Sequence, residues 1–364
     1  MHRLLATRAP ESPCSEHVVK LLDSFHHEGP NGRHLCLVYE PMGLSLRDIY
    51  HTSYGDGDSA EPPTRSFPLD KTKQIVRHIL SGLHLLHSNG IVHGDLNPGN
   101  LMFGLQDLFE IGPETLKQRR RNKCWSEGIE FLHRFDGTPM KQDRWAPRYL
   151  APSHPLAKHT LSEVMKLADM GSAFYIGDSP KEHATPIALR APEVIFNEAE
   201  KIGGGIDIWT VECLLYEFIT GSPLFTIWLR GKSEETYNDE NLMLLTEILG
   251  PLPADLLAKW PGSSKYYGPN GERLDVWPWA GQIGEDLDNK KRDEKHAGVK
   301  HHEALEKQFK GWRAHKATDV NKGGRLMDDD EERQIISLIR SMLQYDPALR
   351  PSAADLLKHP WLHS

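Results

Sequence analysis

The residue types that could do chemistry crowd into Ile91-Val92-His93-Gly94-Asp95-Leu96-Asn97-Pro98-Gly99-Asn100-Leu101-Met102-Phe103. Asp95 lies between His93 and Asn100, and apolar pairs, Ile91-Val92 and Leu101-Met102, flank the stretch and would clamp it in a core. A carboxylate held in a fixed loop can orient a hydroxyl and accept its proton. An asparagine carbonyl nearby can hold magnesium, which takes oxygen ligands and keeps several waters. A second acid, Asp169, follows Val164-Met165-Lys166-Leu167-Ala168 and precedes Met170-Gly171. An acid at a strand end, with a glycine close behind to admit near backbone approach, is a second candidate magnesium ligand. The plain alternative for the Asp95 stretch is an Asp/Asn-rich turn, which is common.

The elements that must position these residues are legible from periodicity. Asp70 to Asn89 predicts a helix with Ile75, Val76, Ile79, Leu80, Leu83 and Leu86 on one face. Asp70 can cap its start and Gly90 can end it in a left-handed turn, so the helix delivers the chain into the His93 loop. Earlier, Val18-Val19-Lys20-Leu21-Leu22 and His34-Leu35-Cys36-Leu37-Val38-Tyr39 predict two strands joined through Gly29-Pro30-Asn31-Gly32, an antiparallel hairpin. Glu40-Pro41-Met42-Gly43 breaks the pattern and could be a hinge to a second lobe; residues 51–66 predict a loop. Asp207 to Thr220 has few polar faces and predicts a buried helix ended by Gly221. Ile335, Ile336, Leu338, Ile339, Met342 and Leu343 mark another amphipathic helix, and Ser352 to Asp355 is a capping box for the last short one. His78, His84 and His87 are expected on the helix surface or in the core, since no cysteine or carboxylate cluster accompanies them.

Composition bounds the function. The 364 residues are 38% apolar and 26% charged, ordinary for a globular chain with a sizeable core. A net charge of −8 gives no support to a broad nucleic-acid surface. Cys14, Cys36, Cys124 and Cys213 lack metal-ligand spacing and suit a reducing compartment. No apolar run reaches membrane-spanning length. The basic run Lys117-Gln118-Arg119-Arg120-Arg121 is expected to be a solvated loop rather than a docking site. Residues 282–332 are dominated by charge, and a mobile insertion or loosely attached helix is expected there.

In order along the chain, His93 to Asn100, Asp169-Met170-Gly171, Ala191-Pro192-Glu193, Asp207-Ile208-Trp209 and Arg350 resemble the motif set of a eukaryotic protein kinase. The finer resemblance is to the SR-protein kinases, carried by Val18 to Phe25, by Gly29 to Gly32, and by Met170 in place of a phenylalanine. It covers roughly residues 17–103 and 164–364. The resemblance implies an α+β, protein-kinase-like fold: a reduced β-rich N-lobe over residues 1–43 and a mostly helical C-lobe over 44–364. A spacer would fall at 104–163 and a charged insertion at 282–332. It implies transfer of the ATP gamma-phosphate to protein serine or threonine, with Mg2+ as cofactor and Arg/Ser-rich proteins as substrates. It implies a monomer in the cytoplasm or nucleus, with no direct nucleic-acid or membrane contact. Asp95 would be the catalytic base, and Asn100 and Asp169 would hold magnesium on the phosphates. Glu40 and Met42 would offer backbone groups to adenine, with Met102 packed under the ring. Glu193 would pair with Arg350.

The departures set the alternatives. Gly94 stands where such kinases have an arginine, and Asn97 where serine/threonine kinases have a lysine that reaches the transferring phosphoryl group. The sequence holds no G-x-G-x-x-G loop, and Lys20, the tempting strand lysine, lacks a following helix to carry its glutamate. On this resemblance the chain is expected to start near the end of the family's first helix, with about half of the small lobe missing. A catalytically impaired pseudokinase or truncated binding protein is therefore the first alternative. The loop is also similar to the H-G-D-x-x-x-x-N loop of aminoglycoside and choline kinases, which makes a small-molecule phosphotransferase the second.

Overall fold

A computed structural model describes residues 12–29, 32–52, 66–106, 130–131, 149–150, 161–227, 233–268, 274, 304–318 and 327–364. The basic run at 117–121 and most of the stretch 51–66 lie outside the described residues.

The first strands, β1 (Leu21–Gly29) and β2 (Gly32–Tyr39), form the expected antiparallel hairpin, with Gly29 opposite Gly32. The first begins at Leu21 rather than Val18. Val18 and Val19 are buried instead, and the Val19 N–H donates to Leu167 O at 2.9 Å, which seats the hairpin's base on the core. Beyond that base the hairpin is open: Leu22, Phe25, Leu35 and Leu37 are all exposed.

Next come α1 (Leu46–Thr52) and the long helix α2 (Leu69–Ser88). The apolar face of α2 is buried as its period predicts: Ile75, Val76, Ile79, Leu80, Leu83 and Leu86 are each no more than 1% exposed. Each such side chain contributes about 1.5–3 kcal/mol of transfer free energy. The cap position belongs to Pro68 rather than Asp70, which sits in the first turn where a carboxylate suits the helix dipole. Gly90 ends the helix at φ +71°.

Short strands β3 (Ile91–Val92) and β4 (Leu101–Leu105) follow, then a two-residue ladder of β5 (Glu130–Phe131) and β6 (Tyr149–Leu150), then β7 (Leu161–Leu167) and β8 (Phe174–Tyr175). β3 pairs with β8, and β4 with β7, both antiparallel. The rest is helical: α3 (Pro192–Ile195), α4 (Gly205–Thr220), α5 (Glu234–Leu249), α6 (Ala254–Lys259), α7 (Ser263–Tyr266), α8 (Leu305–Thr318), α9 (Asp329–Met342) and α10 (Ala353–Leu356).

α4 is the centre of the core, buried without interruption from Ile206 to Thr220 and closed by Gly221 at φ +78°. The closing segment is locked onto α2. Lys73 pairs with Glu331 at 3.1 Å, both side chains being buried, while Trp361 Nε1 donates to Glu331 and the Lys73 ammonium lies over the Trp361 ring. Within 282–332 the loose attachment expected from charge is corrected for α8. Leu305 and Phe309, one helical turn apart, are both 0% exposed, and Arg340 grips Glu306 at 2.7 Å. Two apolar anchors at that spacing suffice to seat a polar helix. Among the described residues no helix is long and apolar enough to cross a membrane.

Candidate active site

Strand pairing explains why the two acids meet. The chain between β3 and β4 is the Asp95 loop, and the chain between β7 and β8 is the Asp169 turn. Pairing β3 with β8 and β4 with β7 sets these connections side by side. Ala168 N–H donates to Asn100 O at 2.9 Å, and His93 Nε2 lies 3.0 Å from Ala168 O. The Asp95 N–H points at His93 Nδ1, so Nδ1 accepts and Nε2 carries the proton that Ala168 O receives. His93, fully buried, is thus a strut between the two connections.

Asp95 is half-buried, and amides bracket its carboxylate. Asn100 Nδ2 donates to Asp95 Oδ2 at 3.1 Å and Asn97 Nδ2 to Oδ1 at 3.2 Å; both also reach the Asp95 carbonyl. Burial raises the Asp95 pKa above the usual carboxylate value, and the two amide bonds and His93 only partly offset it. A carboxylate so held is a better proton acceptor than a free one. Asn97 is 7% exposed, and its Oδ1 accepts from Gly99 N–H at 2.9 Å and from Arg47 Nη2 at 2.8 Å.

Gly94 takes φ +74°, and a Cβ there would meet Phe174 Cε1 and Ser172 O at 3.0 Å. Glycine fits this turn where an arginine would be strained. Asp169 is itself left-handed at φ 58°, exposed, and accepts from the Gly171 N–H at 3.1 Å. Non-glycine residues rarely hold that conformation, and asparagine and aspartate are among the few that tolerate it.

On the strand side, Glu40 is bound by its side chain as well as its backbone. Its N–H donates to Lys20 O, its carboxylate accepts from the Lys20 N–H, and Lys166 Nζ grips both its oxygens at 2.8 and 2.7 Å. Lys20 is an exposed residue whose backbone does this work. Met102 sits on β4 opposite Lys166, and Met42 precedes Gly43, whose N–H donates to Phe103 O. Glu40 and Met102 are thus joined through Lys166, and Met42 adjoins the same strand through Gly43. Tyr39 adjoins them: partial burial and the Asp169 charge raise its pKa.

Two further devices hold the loop. Asp207, buried on α4, accepts from the N–H groups of His93 at 2.8 Å and Gly94 at 3.0 Å, and meets His87 Nε2 at 2.9 Å. Burial alone would raise the Asp207 pKa, but the His87 bond, the nearness of the His87 and His93 imidazoles and the Gly94 N–H together hold it below the usual value. Thr185, 4% exposed, donates to Gly94 O at 2.8 Å and ties the segment before α3 to the same turn. That segment is braced in turn by Glu193 and Arg350, a bidentate pair at 2.6 and 2.8 Å with both side chains 0% exposed. Arg350 also donates to the carbonyls of Gly205 and Gln344 and lies 5.0 Å from the Trp209 ring centroid.

The contributions of Arg47, Lys166, Thr185 and His87 were not visible in the sequence. Lys166 alone had a signal, being a charged residue inside an apolar strand three positions before Asp169. Among the described residues no group of three or more His, Cys, Asp or Glu could by itself hold a metal.

The protein kinase domain model matches residues 10–112 and 156–362. The chain is 28% identical over 377 residues to the serine/threonine-protein kinase SRPK of Physarum polycephalum, covering 99% of this chain and 74% of that protein. It is 26% identical over 346 residues to the human dual specificity protein kinase CLK1, covering 94% of this chain but only 52% of that protein. The chain thus spans about half the length of this human relative. A crystal structure of a kinase domain superimposes with a TM-score of 0.57 at 23% identity, covering 99% of this chain and 82% of that one, a likeness of fold. The small strand-containing lobe and larger helical lobe are a protein kinase fold, and the chain belongs to the protein kinase domain family.

Proposed function

We propose that this chain is a serine/threonine protein phosphotransferase that moves the ATP gamma-phosphate to a protein hydroxyl. The bracketing of the Asp95 carboxylate by the amides of Asn97 and Asn100 carries this reading. Asp95 orients the acceptor hydroxyl and takes its proton. The amide nitrogen of Asn100 is committed to Asp95, which leaves its carbonyl oxygen as the ligand atom beside the exposed carboxylate of Asp169. Two oxygen donors, with waters and phosphate oxygens completing the shell, fit magnesium. Bound there, magnesium would neutralise phosphate charge. Glu40 and Met42 offer backbone groups to adenine and Met102 packs against the ring.

The relatives named SRPK and CLK1 support Arg/Ser-rich proteins as the substrate class, and the −8 net charge is compatible with basic peptides. The division into a small lobe to residue 43 and a large lobe beyond it, and a monomeric, cytoplasmic or nuclear protein, belong to the same proposal. The H-G-D loop shared with small-molecule phosphotransferases does not favour that class once a protein kinase domain is matched across both lobes.

Calorimetry with ATP in the presence and absence of magnesium tests the site. Binding is expected to be weak, because the sequence holds no Gly-rich loop, to require magnesium, and to be lost in Asp169→Ala. Radiolabelled transfer to an Arg-Ser repeat peptide should be slow, faster than to an unrelated basic peptide, and abolished by Asp95→Ala. Metal-independent binding that survives Asp169→Ala unchanged would defeat the proposal.

A further inference from the structure

Asn97 is neutral where the resembling kinases carry a lysine, yet the structure puts a cation there from elsewhere in the chain. Arg47 is the second residue of α1, fifty positions earlier, and its Nη2 donates to Asn97 Oδ1 at 2.8 Å. The same amide donates to Asp95 Oδ1 through Nδ2 at 3.2 Å, so one side chain separates the guanidinium from the base. The backbone fixes this placement. Arg47 N–H donates to Pro98 O at 3.1 Å, Ser45 bridges Met102, and Phe103 N–H donates to Leu44 O. Gly99 supplies the space, since a Cβ there would lie 2.9 Å from Arg47 Cζ and 3.0 Å from Asn97 Oδ1. Arg47 is exposed, and among the described residues no carboxylate pairs with it. A guanidinium carries five N–H donors in a fixed fork suited to phosphate, and one is committed to Asn97.

We infer that Arg47, docked on the Asn97 amide beside Asp95, is a catalytic residue that supplies the positive charge on the transferring phosphoryl group. The inference rests on the phosphotransferase reading above. In the step, the bond from the gamma-phosphorus to the bridging oxygen breaks and ADP leaves with its electron pair. The acceptor oxygen bonds to phosphorus and its proton passes to Asp95. Arg47 keeps its proton, forms no covalent bond and neutralises the equatorial oxygens. Asn97 is then the adaptor that holds the charge, and its buried amide is not simply a lost lysine.

Calorimetry of the full chain with Mg–ADP, and with Mg–ADP plus aluminium fluoride as a mimic of the phosphoryl group in flight, tests this. Wild type should bind the fluoride complex more tightly than ADP alone. Arg47→Met should leave ADP affinity and the melting temperature unchanged but weaken the fluoride complex by about 10²-fold, the usual cost of losing one preorganised donor. Arg47→Lys, which keeps the charge but not the fork, should retain part of the gain. Gly99→Ala, which crowds the guanidinium without removing it, should lose part of it. The inference is overturned if Arg47→Met weakens both ligands equally, or changes neither, or if wild type gains nothing from fluoride while binding ADP. A wild-type chain that binds no nucleotide at all overturns the phosphotransferase reading itself.

Discussion

Asp95 is a half-buried carboxylate bracketed by the side-chain amides of Asn97 and Asn100. Its place beside Asn100, and the later Asp169, were legible because the chemistry demands those residue types at those spacings. Its raised pKa was not, since that depends on how far folding buries the carboxylate, against the opposing pull of the Asn97 and Asn100 amides, and no spacing prints that balance. The direction has a kinetic consequence. In the proposed reaction transfer requires the ionised carboxylate, so the rate should fall as pH drops through a pKa above the ordinary aspartate range. The acid limb of the pH–rate profile for the Arg-Ser peptide should therefore sit higher than a solvent-exposed aspartate would place it. Asn97→Ala removes one of the amide bonds that favour the charged form, and should move the limb higher still. A limb at the ordinary aspartate value in both proteins would contradict the assignment. Asn97 was the residue least legible from sequence. Its type was plain, but its partner Arg47 lies on another element, and only the fold brings them together.

At the scale of elements, legibility followed periodicity. α2 and α4 were readable because each has an apolar period of helical length, and the structure buries the residues named. The hairpin was readable from its turn residues, but its first strand starts later than the apolar run suggests, because Val18 and Val19 are used against β7 instead. α8 was underestimated: its composition is polar, and the decisive pair, Leu305 and Phe309, is too small a signal to outweigh the surrounding charge. The Glu193–Arg350 pair is where motif and architecture coincide. Both groups are out of water, so their mutual attraction must offset two desolvation costs, and removing one partner leaves the other uncompensated. Arg350→Met should therefore cost about 3–5 kcal/mol in urea unfolding, whereas exchanging an exposed pair such as Lys358–Asp355 should leave the unfolding midpoint nearly unchanged. Similar losses at the two sites would show that the buried pair does not brace the segment before α3.

The molecule as a whole is built outward from α4, and that helix carries an uncompensated group. Glu212 is 0% exposed, and neither carboxyl oxygen has a hydrogen-bond partner of normal geometry among the described residues. Burial raises its pKa well above the usual value; the neighbouring Cys213 thiol, a weak donor, and the charge of Arg340 offset little of that. Glu212 is thus carried into the core as the neutral acid. With the folded pKa raised, the native state binds the proton more tightly than the unfolded chain. Its contribution is complete below the unfolded glutamate pKa and is lost as pH rises toward the folded value. His78 acts in the opposite window. Burial and the nearby His17 lower its pKa to about 4, so its share is complete above the ordinary histidine pKa of about 6.5 and is lost as pH falls toward 4. The two groups bound stability from opposite sides, and they can be separated. Glu212→Gln keeps the shape and removes the titration, so its stability relative to wild type should rise steadily as pH increases above about 4.3, the unfolded glutamate value. Below that value the two proteins should unfold at nearly the same urea concentration. A stability difference that stays constant across that range would mean Glu212 finds a charge partner in the native core and is not held neutral there.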